Sequence, residues 1–171
     1  MNPVIDAILT RYSCRKFTDE PLKREDVEVI LKCAAHAPSG RNRQSFQFTA
    51  LTAKKDILVL IEAMKNALNL PEYTMYDPSC IILVSNDPEN HLSRDDNACA
   101  LENIFLAAHS LGIGSVWINQ LKDCCHDEEV RKLLTSWSIP ENHTVTGIAA
   151  LGYPAGDISS KERKAVINII E

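Results

Sequence analysis

Apolar residues recur at helical spacing along some stretches of the chain and crowd into short runs along others. Val4, Ile5, Ile8 and Leu9 make one stripe, with Asn2 placed to cap it and Pro3 in its first turn, so a short helix ending at Arg11 is predicted. Lys23 to Ala37 repeats Val27, Ile30, Leu31, Ala34 and Ala35 before Pro38, and Lys54 to Leu68 repeats Ile57, Leu58, Ile61, Met64 and Leu68. Both read as amphipathic helices. From Asp96 to Leu111 the apolar positions Ala98, Leu101, Ile104, Phe105, Leu106, Ala107 and Ala108 cover more than one stripe, which predicts a helix buried on several sides by its own core or a partner subunit. Glu102, Asn103 and His109 exclude a membrane span there. A short helix follows over Glu128 to Trp137.

Strands are predicted over Phe46 to Leu51, Cys80 to Ser85, Ser115 to Ile118 and Thr144 to Leu151. The unbroken apolar run at Cys80 to Ser85 suits a central strand covered on both faces. Val166-Ile167-Asn168-Ile169-Ile170 is rich in β-branched residues, and a last strand is expected there. Leu70 to Pro78 contains two prolines and reads as a loop. Helices alternating with strands in one domain over residues 1–171 point to an α/β or α+β sheet with helices on both sides.

A length of 171 residues suits one domain, and 45% hydrophobic with 24% charged residues is a globular composition. A net charge of -5 argues against a nucleic-acid partner, so any anion site must be local. The cysteines (Cys14, Cys33, Cys80, Cys99, Cys124, Cys125) lack the spacing of a disulfide framework or zinc knuckle and read as reduced thiols. The N-terminal residues have no basic segment followed by a long apolar run, so a cytoplasmic location without membrane attachment is expected.

Chemistry concentrates in separated polar segments. In an extended Arg11-Tyr12-Ser13-Cys14-Arg15, residues two apart share a face, so Arg11, Ser13 and Arg15 converge. Two guanidiniums and a hydroxyl suit a phosphate dianion, although the motif alone fits a solvated basic strand equally well. Pro38 to Gln44 forms a polar turn with one permissive glycine. Gly112-Ile113-Gly114 lacks the third glycine of a dinucleotide fingerprint, and neither a Walker lysine nor a zinc-protease helix is present. Cys124-Cys125-His126 reads as a capping loop rather than a metal site, and no base is paired with a serine for hydrolysis.

Taken in order, these segments resemble the nitroreductase family of flavin mononucleotide (FMN) enzymes. The family's Arg-x-Ser-x-Arg-x-Phe appears as Arg11 to Phe17, and its Ala-Pro-Ser-x-x-Asn-x-Gln as Ala37 to Gln44. A long helix running into Gly112-Ile113-Gly114-Ser115-Val116-Trp117-Ile118, then Gly152-Tyr153-Pro154 and Lys161-Glu162-Arg163, complete the likeness. The resemblance implies an α+β, three-layer α-β-α fold with a mostly antiparallel sheet, forming a homodimer with FMN at the subunit interface. It also implies that the C-terminal strand crosses to the partner's sheet.

By the same resemblance, Arg11, Ser13, Arg15, Lys161 and Arg163 hold the phosphate and ribityl chain, and Tyr12 and Cys14 of the first motif also belong to the cofactor-binding residues. Pro38, Ser39, Gly40, Asn42 and Gln44 belong to the second flavin-binding segment, with Asn42 and Gln44 reaching the flavin held by the other subunit. Backbone at Trp117, Ile118 and Asn119 meets the isoalloxazine edge, and the long helix around Leu101 to Leu111 is the expected interface. The activity implied is hydride transfer from NAD(P)H to flavin N5, then reduction of a nitroaromatic, quinone or related small acceptor in a ping-pong cycle. No protein acid or base is required for the first half-reaction. A redox-sensing flavin module, or a member that fragments or dehalogenates its substrate, is the alternative. Ser45-Phe46 replaces the family's Pro-Trp, and Leu70 to Pro78 and Asn119 to Asp127 leave little room for an inserted lid.

Overall fold

The structure is a computed structural model that describes residues 2–156 and 162–171. Helix α1 (Pro3–Thr10) begins where Asn2 accepts the Val4 N–H at 2.9 Å, satisfying one orphan donor of the first turn. Helix α2 (Arg24–Ala35) is followed by a polar turn with a 3-10 segment at Gly40–Asn42, strand β1 (Gln47–Leu51) and helix α3 (Lys54–Leu68). Then come β2 (Cys80–Asn86), α4 (Ser93–Ser110), β3 (Gly114–Ile118), a 3-10 turn at Gln120–Asp123, α5 (Glu128–Ser136) and β4 (Thr144–Gly152).

The sheet order is β1-β2-β4-β3, with every neighbouring pair antiparallel. All of β2 is buried, which is why it reads as an unbroken apolar run. Its side chains alternate between two cores. Ile81 and Leu83 join Ile57, Leu60 and Met64 of α3 and Val130 and Leu134 of α5. Ile82 and Val84 join Ile30 and Ala34 of α2 and Leu101, Ile104 and Phe105 of α4 on the other face. The result is the three-layer α-β-α arrangement; each fully buried Leu or Ile contributes about 1.5–3 kcal/mol of transfer free energy.

Helix α4 is covered by its own domain. Ala100, Leu101, Ile104, Phe105 and Ala108 are all buried between the sheet and α2. Its first turns are stitched to β4, where the pairing shifts between Val84↔Gly147 and Ser85↔Val145. Asn97, fully buried, donates to Thr146 Oγ1 at 2.7 Å and to the Val84 carbonyl at 3.4 Å at this bulge. By contrast, α1 buries none of its residues: Val4, Ile5, Ile8 and Leu9 are 50–64% exposed. Among the described helices, α1 thus exposes a whole apolar stripe, whereas α4 buries most of its own and leaves Leu106, Ala107 and the C-cap Leu111 partly exposed.

Two other expectations differ from the structure. Arg11 to Phe17 is extended, but it pairs only through isolated bridges, Ser13 with Ser115 and Phe17 with Pro154, rather than as a strand. The segment 162–171 forms no strand, and Val166, Ile167, Ile169 and Ile170 are 83–96% exposed. A strand needs neighbouring backbone to satisfy its N–H and C=O groups, and none of the described residues pairs with the tail. Lys161 lies outside the described residues.

Candidate functional site

The first site segment is fastened to the edge of β3. Cys14 N–H donates to the Ser115 carbonyl at 2.8 Å, so Ser115 directs its backbone away from β4. Two residues on, Trp117 presents its N–H and C=O to the same open edge. Gly114 permits the close approach, because a Cβ there would lie 2.8 Å from both Cβ and Sγ of Cys14. Cys14 is buried and its thiol donates to the Lys16 carbonyl at 3.1 Å, whereas Ser13 and Arg15 on either side are exposed. The alternation predicted for the motif holds at these three positions.

Arg11 is held from behind, with Nε 3.5 Å from Glu102 Oε1 on α4. The Arg163 guanidinium donates to the Arg11 carbonyl at 3.4 Å, bringing a third cation to the cluster. Tyr12 is half-buried, its ring edge-on to His109 at 6.2 Å, and burial, with the nearby Cys14 thiol, raises its pKa. His109 also meets the Thr10 hydroxyl at 2.8 Å. Among the described residues Arg15 pairs with no carboxylate and lies 5.8 Å from the centroid of the Tyr76 ring.

Tyr76 belongs to a feature the sequence pattern did not reveal. Met75, Tyr76 and Asp77 have φ of 52°, 68° and 52°, a left-handed run without glycine that buried Met75 anchors. This loop and β3 enclose a cavity of about 210 Å³ lined by Glu72, Tyr73, Met75, Tyr76, Trp117 and Gln120. Burial raises the Tyr73 pKa, and its hydroxyl has no hydrogen-bond partner among the described residues. Trp117, 42% exposed, lies against Phe105 and over Gly147, where any Cβ would collide with its ring. Ile118 is buried in the opposite core and Asn119 is exposed. The only sequence signal for this wall of the site is a pair of tyrosines between Pro71 and Pro78.

The second segment lies elsewhere. Pro38 is exposed, and Ser39 Oγ accepts the Gln44 N–H at 3.0 Å. Gln44 Nε2 donates to Asn42 Oδ1 at 2.7 Å, with both side chains exposed. Gly40 is joined to Asp96 near the start of α4, whereas Tyr12 meets His109 in its last turn. Those two helix positions are about 20 Å apart at 1.5 Å per residue. No hydrogen bond or ion pair among the described residues joins 39–44 to 11–15. The structure thus assembles Arg11, Ser13, Arg15, Arg163 and the β3 edge, and leaves Asn42 and Gln44 facing outward at a distance.

The comparisons agree with this architecture. The nitroreductase family model matches residues 8–73 and 58–153. An Archaeoglobus fulgidus protein provisionally named an NADH dehydrogenase/NAD(P)H nitroreductase is 35% identical over 161 residues, 90% of this chain and 87% of its own. An oxygen-insensitive NADPH nitroreductase of Salmonella typhimurium is 27% identical over 95% of this chain and 70% of its own. A Bacteroides fragilis nitroreductase, crystallised with bound FMN, superposes with a TM-score of 0.95 at 38% identity, each chain covered completely. With its motifs fixed to one sheet edge and its sequence matched over most of its length, this chain belongs to the nitroreductase family.

Proposed function

We propose that the chain is an FMN-dependent oxidoreductase that takes reducing equivalents from NAD(P)H and delivers them to a nitroaromatic, quinone or similar small acceptor. The observation that carries this reading is the bond between Cys14 and Ser115, which sets a cationic cluster in line with an open backbone edge. Arg11, Arg15 and Arg163 with the Ser13 hydroxyl are a donor set for a phosphate dianion, and a neutral sugar or purely apolar ligand would leave them unused. The Trp117 N–H lies further along the same edge, placed to donate to a ring heteroatom. FMN, when bound, supplies the hydride-accepting and electron-donating chemistry.

The chain's own residues orient and enclose. Glu102 limits the motion of the Arg11 side chain, and Tyr76 does the same for Arg15 through the face of its ring. The cavity beside Trp117 is bounded by Tyr73 and Tyr76, whose flat faces suit a planar aromatic acceptor. One cavity next to the β3 edge favours reductant and acceptor using it in turn, which is a ping-pong order.

Two copies complete the site in this reading. Among the described residues the Asn42 and Gln44 side chains bond only to each other, and α1 with its neighbours forms an apolar groove of about 520 Å³ lined by Val4, Ala7, Cys33, His36, Leu106 and Ala107. The exposed tail supplies a β-branched sequence that forms no strand in the single chain, and β1 at the other end of the sheet supplies an edge unpaired among the described residues. Six free thiols fit a reducing cytoplasm. The visible absorption spectrum of purified protein tests the cofactor: oxidised-flavin bands are expected, and their absence with no uptake of added FMN overturns the reading. Steady-state oxidation of NADH or NADPH with a nitroarene or quinone separates an enzyme from a redox sensor, since a sensor reduces its flavin once and stops.

A further inference from the structure

A buried carboxylate occurs where the sequence shows only another polar position of a long helix. Asp96 is 4% exposed in the first turn of α4, and both of its oxygens are engaged. Oδ1 accepts the Gly40 N–H at 2.7 Å and Oδ2 accepts from Asn90 Nδ2 at 3.1 Å. Asn90, equally buried, donates to Ser45 Oγ at 3.1 Å and accepts from Arg43 Nη1 at 3.3 Å. The two side chains grip the turn at both ends. Between the grips, Asn42 and Gln44 remain exposed and bonded to one another.

The turn needs that grip because its backbone is disfavoured on its own. Arg41, Asn42 and Gln44 have φ of 56°, 54° and 50°, a region that residues with side chains rarely occupy unless the surroundings impose it. Gly40 lies so close to α4 that a Cβ would run into the Leu92 side chain, so the turn is seated directly on the helix start. A turn held this firmly, ending in two exposed amide side chains that make no other side-chain hydrogen bond among the described residues, is preorganised for something outside its own chain.

We propose that Asp96 is a positioning residue that acts across the subunit boundary. It fixes the turn so that Asn42 and Gln44 meet the flavin held by Arg11, Ser13 and Arg15 of a second copy. The inference rests on the flavin reading above and adds to it a residue far from the cationic cluster.

The test uses full-length chains carrying two different affinity tags, so that mixed dimers can be isolated, with FMN titration and NAD(P)H turnover as readouts. Asp96→Ala homodimers are expected to lose at least about tenfold in FMN affinity. Asp96→Asn, which keeps an acceptor for the Gly40 N–H, is expected to recover most of it. A mixed dimer of Asp96→Ala with Arg15→Ala then decides the direction of action. If Asp96 acts in trans, one site carries both defects and the other carries none, so half of the sites bind FMN at the wild-type Kd and turn over. Two weakened sites, one carrying each defect and neither at the wild-type Kd, would show action within one chain and overturn the proposal, as would unchanged flavin affinity in the Asp96→Ala homodimer. If the alanine chain is insoluble, Asp96→Ser, too short to span both partners, takes its place in the same mixed dimer. Wild-type protein that takes up no FMN sinks the functional reading itself, whereas wild-type binding without complementation sinks only the role of Asp96.

Discussion

Arginines are plentiful near both site segments, and the structure separates their roles by what each one touches. Arg15 has no carboxylate partner among the described residues, while Arg41 and Arg43 flank an exposed turn and Arg43 is bonded to Asn90. Arg15→Ala is therefore expected to weaken FMN binding by about 1.5–3 kcal/mol, one to two decades in Kd, and more than Arg41→Ala or Arg43→Ala does. Titrating the three apoproteins with flavin gives the ranking; equal losses would remove Arg15 from the phosphate cluster. A second residue-scale prediction concerns pH. His143 is half-buried, meets Ser85 Oγ at 3.2 Å, and its pKa is lowered from 6.5, by burial first and by the charge of Arg131, with Asp87 opposing. The folded chain then binds the proton less readily than the unfolded chain, so stability from this group is present above 6.5 and is lost as pH falls through that value towards the lower folded one. Melting temperature should drop more between about pH 7 and about pH 5 for wild type than for His143→Gln. Parallel curves for the two proteins would show that His143 has no part in the acid sensitivity.

At the scale of elements, ends are set by local bonds that a single substitution can remove. Asp127 begins α5 by accepting the Glu129 N–H at 3.1 Å and the Val130 N–H at 3.4 Å. Asp127→Ala should cost about 0.5–2 kcal/mol in denaturant unfolding, and Asp127→Asn or Asp127→Ser much less, since each keeps an acceptor. An alanine variant as stable as wild type would show that the preceding 3-10 turn starts the helix unaided. The sequence placed a capping loop at Cys124 to His126, one residue short of the cap itself. Helices α2 and α3 were legible because burial on one side imposes a 3.6-residue period, α4 because its long apolar pattern covers more than one stripe, and β2 because burial on both faces removes any period. What periodicity could not show is contact between distant residues. Asp96 looks like any polar residue of an amphipathic helix until Gly40 is found against it. The left-handed run at Met75 to Asp77 carries no glycine to announce it. Of the site motifs, Arg11 to Arg15 was readable as an extended segment because alternation is local, whereas its attachment to Ser115 is a tertiary fact.

For the whole molecule, the informative residues are those the single chain leaves uncovered. The tail from Ala165 to Glu171 has the composition of a strand and the exposure of none, with Ile170 at 96%. An isolated β-branched segment gains nothing in water by staying extended, so its pattern implies backbone supplied from elsewhere. In the dimer proposed above, the edge of β1 in a second copy would offer that backbone, and the apolar face of α1 the surface that would draw the two copies together. If FMN binds between two subunits as proposed, cofactor and assembly are coupled, because a ligand of the native dimer alone would stabilise it by about 2.7 kcal/mol at a hundredfold excess over Kd. Deleting 165–171 is accordingly expected to raise the dimer dissociation constant. Arg163 reaches the Arg11 carbonyl immediately before the tail, so the deletion should also loosen FMN by releasing that arm. Light scattering across a dilution series, with flavin titration of the same samples, reads both effects. A truncated chain that stays dimeric at full flavin affinity would assign the interface to α1 and its groove alone. A truncated chain that stays dimeric but binds flavin weakly would mean that the tail serves the cofactor site by anchoring Arg163 rather than by pairing with the sheet.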